Sequence, residues 1–143
     1  MEDPNDITKL GYYLNRAFTR LVDDLDCALR KAGIPLNHSQ FSILQVLSRN
    51  NSDTMSQREI AKRLGKDPAA ISRSVIYLER EGFVARYPVN GCKNGVSLTE
   101  KAKELQPQIK AVIKEVTSKA CIGMSKQQIN SGMSFLTNLL KQH

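Results

Sequence analysis

Apolar residues at the start of the chain recur at steps of three and four. This spacing lines one side of a helix, and it predicts a helix running roughly from residue 5 to residue 31. Gly33 and Pro35 come directly afterwards and predict the end of that helix. The apolar stripe consists of Ile7, Leu10, Leu14, Ala17, Leu21, Leu25, Ala28 and Ala32.

Capping residues mark the next two helices. Asn37 has Gln40 three positions later, the spacing of a capping box, in which two side chains satisfy backbone N–H groups at a helix start. Ser56 and Glu59 repeat this arrangement, so a short helix is expected to begin at Ser56 or Met55. The expected inner faces are Phe41, Leu44 and Leu47 in the first helix and Ile60, Ala61 and Leu64 in the second, with the polar residues 50–53 between the two helices.

A further helix follows after a four-residue turn that contains Gly65. Gly65 can take the left-handed conformation in which helices often end. Asp67 is the expected N-cap of the new helix, and Pro68 suits the first helical position, where no N–H is needed. Gly82 stops this helix, and two helices joined in this way are typical of a helix-turn-helix. Its expected buried side is Ile71, Val75 and Leu78.

After Gly82 the pattern changes to two short apolar stretches. Residues 83–87 and 96–98 are expected to form a strand and its return strand. The segment between them, VNGCKNG, contains two Asn-Gly pairs, the strongest short-range signal of a β-hairpin. A hairpin directly after a helix-turn-helix predicts a winged helix. These glycines do not form a phosphate-binding loop, because the Lys-Ser/Thr ending of such a loop is absent.

Two more amphipathic helices complete the chain. Thr99 starts a long helix that ends near Ile122 and Gly123, and Ser125 with Gln128 forms a capping box for the last helix. The apolar stripe of the last helix is Ile129, Met133, Leu136 and Leu140.

The first helix and the last two helices carry more apolar residues than are needed to cover the core of a small winged helix. They require a partner surface, and a second copy of the chain is the simplest one. The predicted fold is therefore mainly α. Residues 36–98 form a winged helix-turn-helix DNA-binding region with a short β-hairpin wing, and residues 1–35 and 99–143 form N- and C-terminal dimerisation helices.

Composition and charge narrow the class of protein. A chain of 143 residues with 41% hydrophobic and 24% charged residues has the size and composition of one globular domain. No long apolar run predicts a membrane span, and the acidic, polar start does not resemble a secretory signal, so a cytoplasmic location is expected. The formal charge of +7 is concentrated after residue 55, which favours a polyanionic partner such as nucleic acid.

The reactive side chains do not point to an enzyme. The sequence has two histidines, no HExxH cluster and no glycine-rich nucleotide loop, so neither a metal, a cofactor nor a catalytic activity is predicted. Its three cysteines have spacings that match no zinc site or paired-thiol motif. Cys27 falls in the apolar stripe of the first helix and is expected to be a small buried hydrophobic residue.

The second helix of the helix-turn-helix begins with unusually small side chains. In this motif the N-terminal turns of that helix lie nearest the base edges of the DNA major groove, where bulky residues hold the backbone away. Ala69, Ala70 and Ser72 permit the approach, and Arg73, on the outward face with Ile76, is placed to contact a phosphate or a guanine. In the alternative interpretation, the alanines are only good helix formers and Arg73 is a solvated charge.

Four segments in this order resemble the MarR (multiple antibiotic resistance regulator) family of bacterial transcription factors, over roughly residues 8 to 141. The resemblance implies a homodimer whose terminal helices interlock and whose two winged helices bind a palindromic operator. Such regulators often repress transcription and leave DNA when a small ligand or an oxidant changes the spacing of the two heads. The segments are Ser56-Gln57-Arg58-Glu59-Ile60-Ala61, Ala70-Ile71-Ser72-Arg73, Leu78-Glu79-Arg80-Glu81-Gly82-Phe83-Val84 and Val96-Ser97-Leu98-Thr99-Glu100-Lys101.

The resemblance also assigns residues to DNA. The reading helix becomes residues 67–81, and Ser56 and Gln57 match phosphate contacts at the start of the preceding helix, where free N–H groups favour an anion. The wing departs from the family, because Asn90-Gly91-Cys92-Lys93 stands where an Asp-Arg pair is usual. Lys93 or Arg86 is the alternative wing contact. The residues expected nearest DNA in the reading helix are Pro68, Ala69, Ala70, Ser72 and Arg73.

The resemblance further implies an effector site in a cleft between the first two helices and the DNA-binding head. Tyr12, Arg16 and His38 are the candidate ligand-binding residues, and the alternative is that they pack or meet water. Gly11 stands where peroxide-sensing members carry a reactive cysteine, so peroxide sensing through that position is not expected.

These features predict a sequence-specific, homodimeric DNA-binding transcriptional regulator, a repressor released by a small molecule. The alternative function is a winged-helix module for architectural DNA binding or protein contact, without operator specificity.

Overall fold

The structure is a computed structural model, and it describes residues 3–50, 54–89 and 91–141. Its mainly helical architecture confirms the predicted fold class. A 3₁₀ turn at Ile7–Lys9 leads into α1 (Leu10–Lys31), which is followed by α2 (His38–Ser48), α3 (Gln57–Leu64), α4 (Pro68–Arg80), α5 (Glu100–Ala120) and α6 (Lys126–Lys141). The strands are β1 (Thr54–Ser56), β2 (Val84–Val89) and β3 (Cys92–Leu98).

The wing is a three-stranded antiparallel sheet with the order β1-β3-β2, and not the two-stranded hairpin that the sequence predicts. The additional strand is β1, which pairs with β3 through Thr54 opposite Ser97 and Met55 opposite Val96. Three residues are too few to show a strand periodicity, and β1 exists because β3 supplies its hydrogen-bond partners. The expected start of α3 at Ser56 or Met55 is therefore wrong, since the helix begins at Gln57 and Ser56 is its N-cap.

The hairpin itself is longer than predicted. Val89 pairs with Cys92 at the end of the hairpin, and Gly91 has the positive φ of 84° that a tight turn requires. The second Asn-Gly pair, Asn94-Gly95, lies within β3 and forms no turn. Asn90 is outside the described residues.

Helix caps follow the sequence in part. The capping boxes of Asn37 with Gln40 and of Ser125 with Gln128 are both complete. At α3 only half of the expected box forms: the Ser56 hydroxyl accepts the Glu59 N–H, while the Glu59 carboxylate pairs with Arg63, one turn further on. Asp67 occupies the N-cap position of α4 in extended backbone, but its side chain makes no capping hydrogen bond.

The hydrophobic core lies in the winged helix. The inner faces predicted for α2 and α4 are buried. Helices α1 and α5 each contribute two buried residues, Leu25 and Leu29 from α1 and Ala102 and Ile109 from α5. Helix α6 buries none of its side chains. The exposed apolar residues of α6 are Ile129, Met133, Phe135, Leu136 and Leu140.

Two further observations concern predicted features. Cys27 is half-buried and not buried as expected, because it lines an open groove between α1 and α5. In the described part of the chain, no helix is both long enough and apolar enough to cross a membrane.

Candidate nucleic-acid interface

Helix α4 is held by its apolar side and by the turn before it. Ile71, Val75 and Leu78 are at most 4% exposed and pack into the core with Ile60 of α3. Gly65 ends α3 in the left-handed conformation, with φ of 62°. Because the buried side of α4 is fixed in this way, its opposite side must face solvent.

The predicted DNA contacts of α4 lie together on that solvent side. Pro68, Ala69 and Arg73 are exposed, and Ala70 and Ser72 are half-buried. Ile76 extends this face and is 49% exposed. No hydrogen bond or ion pair engages Arg73 within the described residues, so its guanidinium is available to an anion or a base edge.

One other contact holds α4 through its C-terminal half, and a second contact lies within the helix itself. The Tyr77 hydroxyl donates a hydrogen bond of 2.7 Å to the backbone carbonyl of Pro35, in the connection between α1 and α2. The Arg80 guanidinium lies 5.5 Å from the centre of the Tyr77 ring, within cation–π range. Sequence reasoning missed Tyr77 because its partner is 42 residues away.

The start of α3 offers the other predicted contacts. Ser56 and Gln57 are half-buried at the first turn, beside the end of β1. The Ser56 hydroxyl accepts one backbone N–H at 3.1 Å and keeps its own proton for a further acceptor. The N–H groups of this turn give it the partial positive charge of a helix start.

Of the two predicted wing cations, Arg86 pairs with a carboxylate of the same chain. Both Nε and a terminal nitrogen of Arg86 bind the Glu79 carboxylate of α4, at 3.1 and 3.0 Å. Arg86 shares a sheet face with the buried Val84, two positions earlier, and this alternation was the signal that could have revealed its inward direction. Lys93 lies in β3, and its side chain is outside the described part of the structure.

His38 lies in an apolar cavity of 180 Å³ between α1, α2 and α5. Its imidazole packs edge-on against the rings of Phe18 and Phe41, each with a centroid distance of 5.4 Å, and its buried Nδ1 has no hydrogen-bond partner among the described residues. Burial lowers the pKa of the His38 imidazole below its usual value, Asp26 opposes this shift, and Lys66 adds to it. The neutral imidazole is therefore favoured. The cavity is lined by Phe18, Leu21, Val22, Leu25, His38, Ile113, Val116 and Thr117.

The structure does not bring the three candidate effector residues together. Tyr12 is 63% exposed, and its ring lies edge-on to that of the neighbouring Tyr13, with 5.7 Å between centroids. Arg16 lines a separate groove with Arg20 and other polar residues of α1. At 100° per residue, Tyr12 and Arg16 lie on the side of α1 opposite to the cavity that holds His38.

Comparisons with known proteins agree with this architecture. Residues 32–91 match a family model described as MarR family. This segment belongs to the MarR family. A MarR-family transcriptional regulator from Rhodococcus sp. RHA1 has a TM-score of 0.84 at 22% identity, with 96% of each chain covered.

Two other similar structures were solved with bound molecules. A mutant MarR from E. coli complexed with operator DNA has a TM-score of 0.80 at 20% identity, with 97% of this chain and 99% of that chain covered. CouR from Rhodococcus jostii RHA1, bound to p-coumaroyl-CoA, has a TM-score of 0.78 at 24% identity, with 91% and 90% covered. At these identities the likeness shows the fold. The MarR family, whose model matches residues 32–91, consists of transcription regulators and not of enzymes.

Proposed function

We propose that this protein is a homodimeric, sequence-specific double-stranded DNA-binding repressor that a small molecule releases from its operator. The observation that carries the proposal is the solvent side of α4, where Ala69, Ala70 and Ser72 surround an uncommitted Arg73. Small side chains let the helix approach base edges in the major groove, and arginine is the side chain that most often reads guanine.

Charge supports a DNA partner. The chain carries 21 Lys and Arg against 14 Asp and Glu, a net charge of +7. Cations that replace the condensed counterions of DNA strengthen binding at low salt. We therefore expect the affinity for any duplex to fall steeply as salt rises.

The unburied terminal helices support a homodimer. Helix α6 has no buried residue, and Ile129, Met133 and Leu136 are 37%, 59% and 39% exposed on it. The 3₁₀ turn before α1 adds Ile7, which is 77% exposed, and α1 adds Leu21, which is 39% exposed. Exposed apolar side chains on one side of a helix mark an interaction site, and the same elements of a second copy match them in chemistry. Residues 1–35 and 99–143 are thus assigned to dimerisation and residues 36–98 to DNA.

The cavity at His38 supports an effector. Its wall is apolar apart from the imidazole and Thr117, and the unpaired Nδ1 of His38 offers one directional hydrogen bond. A small, largely apolar molecule fits 180 Å³ of this kind. In this proposal Tyr12 and Arg16 do not line the effector cavity, because they lie on the other side of α1.

Selection of bound duplexes from a random pool tests the proposal. A two-fold symmetric site, preferred over random duplex by roughly a thousandfold or more, is the expected result. Binding with hardly any preference identifies the alternative, an architectural winged helix. Absence of any bound duplex at low salt contradicts DNA binding altogether.

A further inference from the structure

The sheet of the wing has two faces with different chemistry. The inner face carries Val84 and Arg86, which contact the core and Glu79 of α4. On the outer face, the pairing of the strands places Ser56, Gly95 and Tyr87 in one row across β1, β3 and β2. A second row consists of Thr54, Ser97 and Ala85.

Gly95, in the middle of the first row, has no side chain, and the Tyr87 ring occupies the space above it. A Cβ at Gly95 would lie 2.2 Å from Cε2 and 2.3 Å from Cζ of Tyr87, which is closer than atoms approach. Gly95 is buried beneath the ring as a result. Cζ bears the hydroxyl, so the phenol oxygen lies above β3, between Tyr87 and Ser56, whose Cα atoms are roughly 10 Å apart across two strand spacings.

The Tyr87 hydroxyl differs from the other tyrosine hydroxyl of the winged helix. Tyr77 donates to the Pro35 carbonyl at 2.7 Å. Tyr87 has no hydrogen-bond partner within residues 3–50, 54–89 and 91–141, and its side chain is half-buried. A donor that is held in place by its ring and has no acceptor among the described residues is suited to an external acceptor.

The outer face also differs from the inner one in charge. In these two rows the side chains end in the hydroxyls of Thr54, Ser56, Ser97 and Tyr87 or in the methyl group of Ala85, and none of these residues is of a charged type. Serine, threonine and tyrosine hydroxyls are common donors to DNA phosphates. This face belongs to the wing, and it adjoins Ser56 and Gln57 at the start of α3. The wing and the start of α3 are the two regions that flank α4.

We propose that Tyr87 is a DNA-backbone contact of the wing, that its hydroxyl donates to a phosphate oxygen, and that Gly95 is the positioning residue that lets its ring lie across β3. The proposal rests on the DNA-binding function proposed above. The contact is neutral, so it adds affinity without replacing a counterion.

Tyr87→Phe tests the hydroxyl alone, because phenylalanine keeps the ring on Gly95. The probe is the duplex that wild-type protein enriches from a random pool, in titrations at several salt concentrations. We expect the affinity to fall about tenfold or more, the loss of a hydrogen bond to a charged acceptor. The slope of log affinity against log salt should not change, whereas Arg73→Ala should lower it. Tyr13→Phe, on α1, is the matched control and should bind as wild type.

Gly95→Ala tests the positioning. The new Cβ displaces the Tyr87 ring and should weaken binding about as much as Tyr87→Phe, with the melting temperature measured to confirm folding. In the Tyr87→Phe background, Gly95→Ala should add little, since the hydroxyl is already gone.

Three results would overturn the inference while wild-type binding stays intact: full affinity of Tyr87→Phe, additive losses in the double variant, or a reduced salt slope for Tyr87→Phe. If the wild type enriches no duplex, the proposed function fails and this contact fails with it.

Discussion

Helix α4 buries Ile71, Val75 and Leu78 to 4% exposure or less, whereas α6 leaves Ile129 and Met133 37% and 59% exposed. Both helices carry an apolar stripe at helical spacing, and in both the stripe sets which side needs a partner. In α4 the partner is the core of the same chain, and the side left over bears the candidate DNA contacts. In α6 the apolar side is itself left over. An amphipathic stripe therefore predicts that one side of a helix makes a contact, whereas the rest of the fold decides which surface makes that contact.

The largest expected effect comes from removing α6. Deleting residues 125–143 should raise the dissociation constant of the dimer by about a thousandfold or more, because several apolar anchors worth about 2 kcal/mol each are lost. Sedimentation velocity over a concentration series measures it. Leu136→Glu should reproduce the effect, and Asn138→Glu, with the same charge on the polar side, should not. A truncated chain that sediments as a full dimer contradicts the assignment of α6.

The buried side of α4 gives the next effect. Leu78→Ala should lower the free energy of unfolding by about 2–5 kcal/mol, since it leaves a cavity in the core beside Val75. Denaturant unfolding measures the loss. Ile76→Ala, at a 49% exposed position of the same helix, is the control and should cost far less. Equal losses at both positions would remove the distinction between the two sides of α4.

The outward side of α4 is tested by Arg73→Ala. We expect DNA affinity to fall by about 1–3 kcal/mol per chain, the value of one good base contact, with folding and dimerisation unchanged. A gel-shift titration measures the affinity. Arg63→Ala serves as the control, because Arg63 is an exposed cation of α3 that already pairs with Glu59. Unchanged affinity of the Arg73 variant would count against α4 as the reading helix.

A smaller effect is expected where α4 meets the α1–α2 connection. Tyr77→Phe removes the hydrogen bond to the Pro35 carbonyl and should cost about 1 kcal/mol of unfolding free energy. Thermal unfolding of Tyr77→Phe measures the loss, and Tyr13→Phe, measured in the same way, is the control. A destabilisation no greater than that of Tyr13→Phe would show that this bond does not hold α4.

The smallest expected effect is the pH dependence contributed by His38. Its folded-state pKa lies below the unfolded value of 6.5, so the unfolded chain binds more protons in the window between the two values. The contribution to stability is therefore complete above pH 6.5 and is lost as pH falls through the folded pKa. Unfolding free energies measured from neutral to mildly acidic pH should flatten in this window for His38→Gln. Parallel curves for variant and wild type would contradict a depressed pKa.

The sequence by itself determined the helices and most of their ends. The capping boxes at Asn37 and Ser125, the glycine that ends α3 and the stripes of α2 and α4 are interactions within one or two helical turns, so the order of residues is enough to predict them. The position of the candidate DNA-reading side followed from the same spacing.

Only the tertiary structure decided what pairs across long distances. Strand β1 exists through β3, and the ring of Tyr87 covers Gly95, because backbone pairing in the sheet brings separated residues into contact. Arg86 turns to Glu79 because β2 lies beside α4, and the packing of α1, α2 and α5 places His38 in a cavity on the far side of α1 from Tyr12. Helical spacing predicts which residues share a side, but the direction that side faces depends on elements packed against it from elsewhere in the chain.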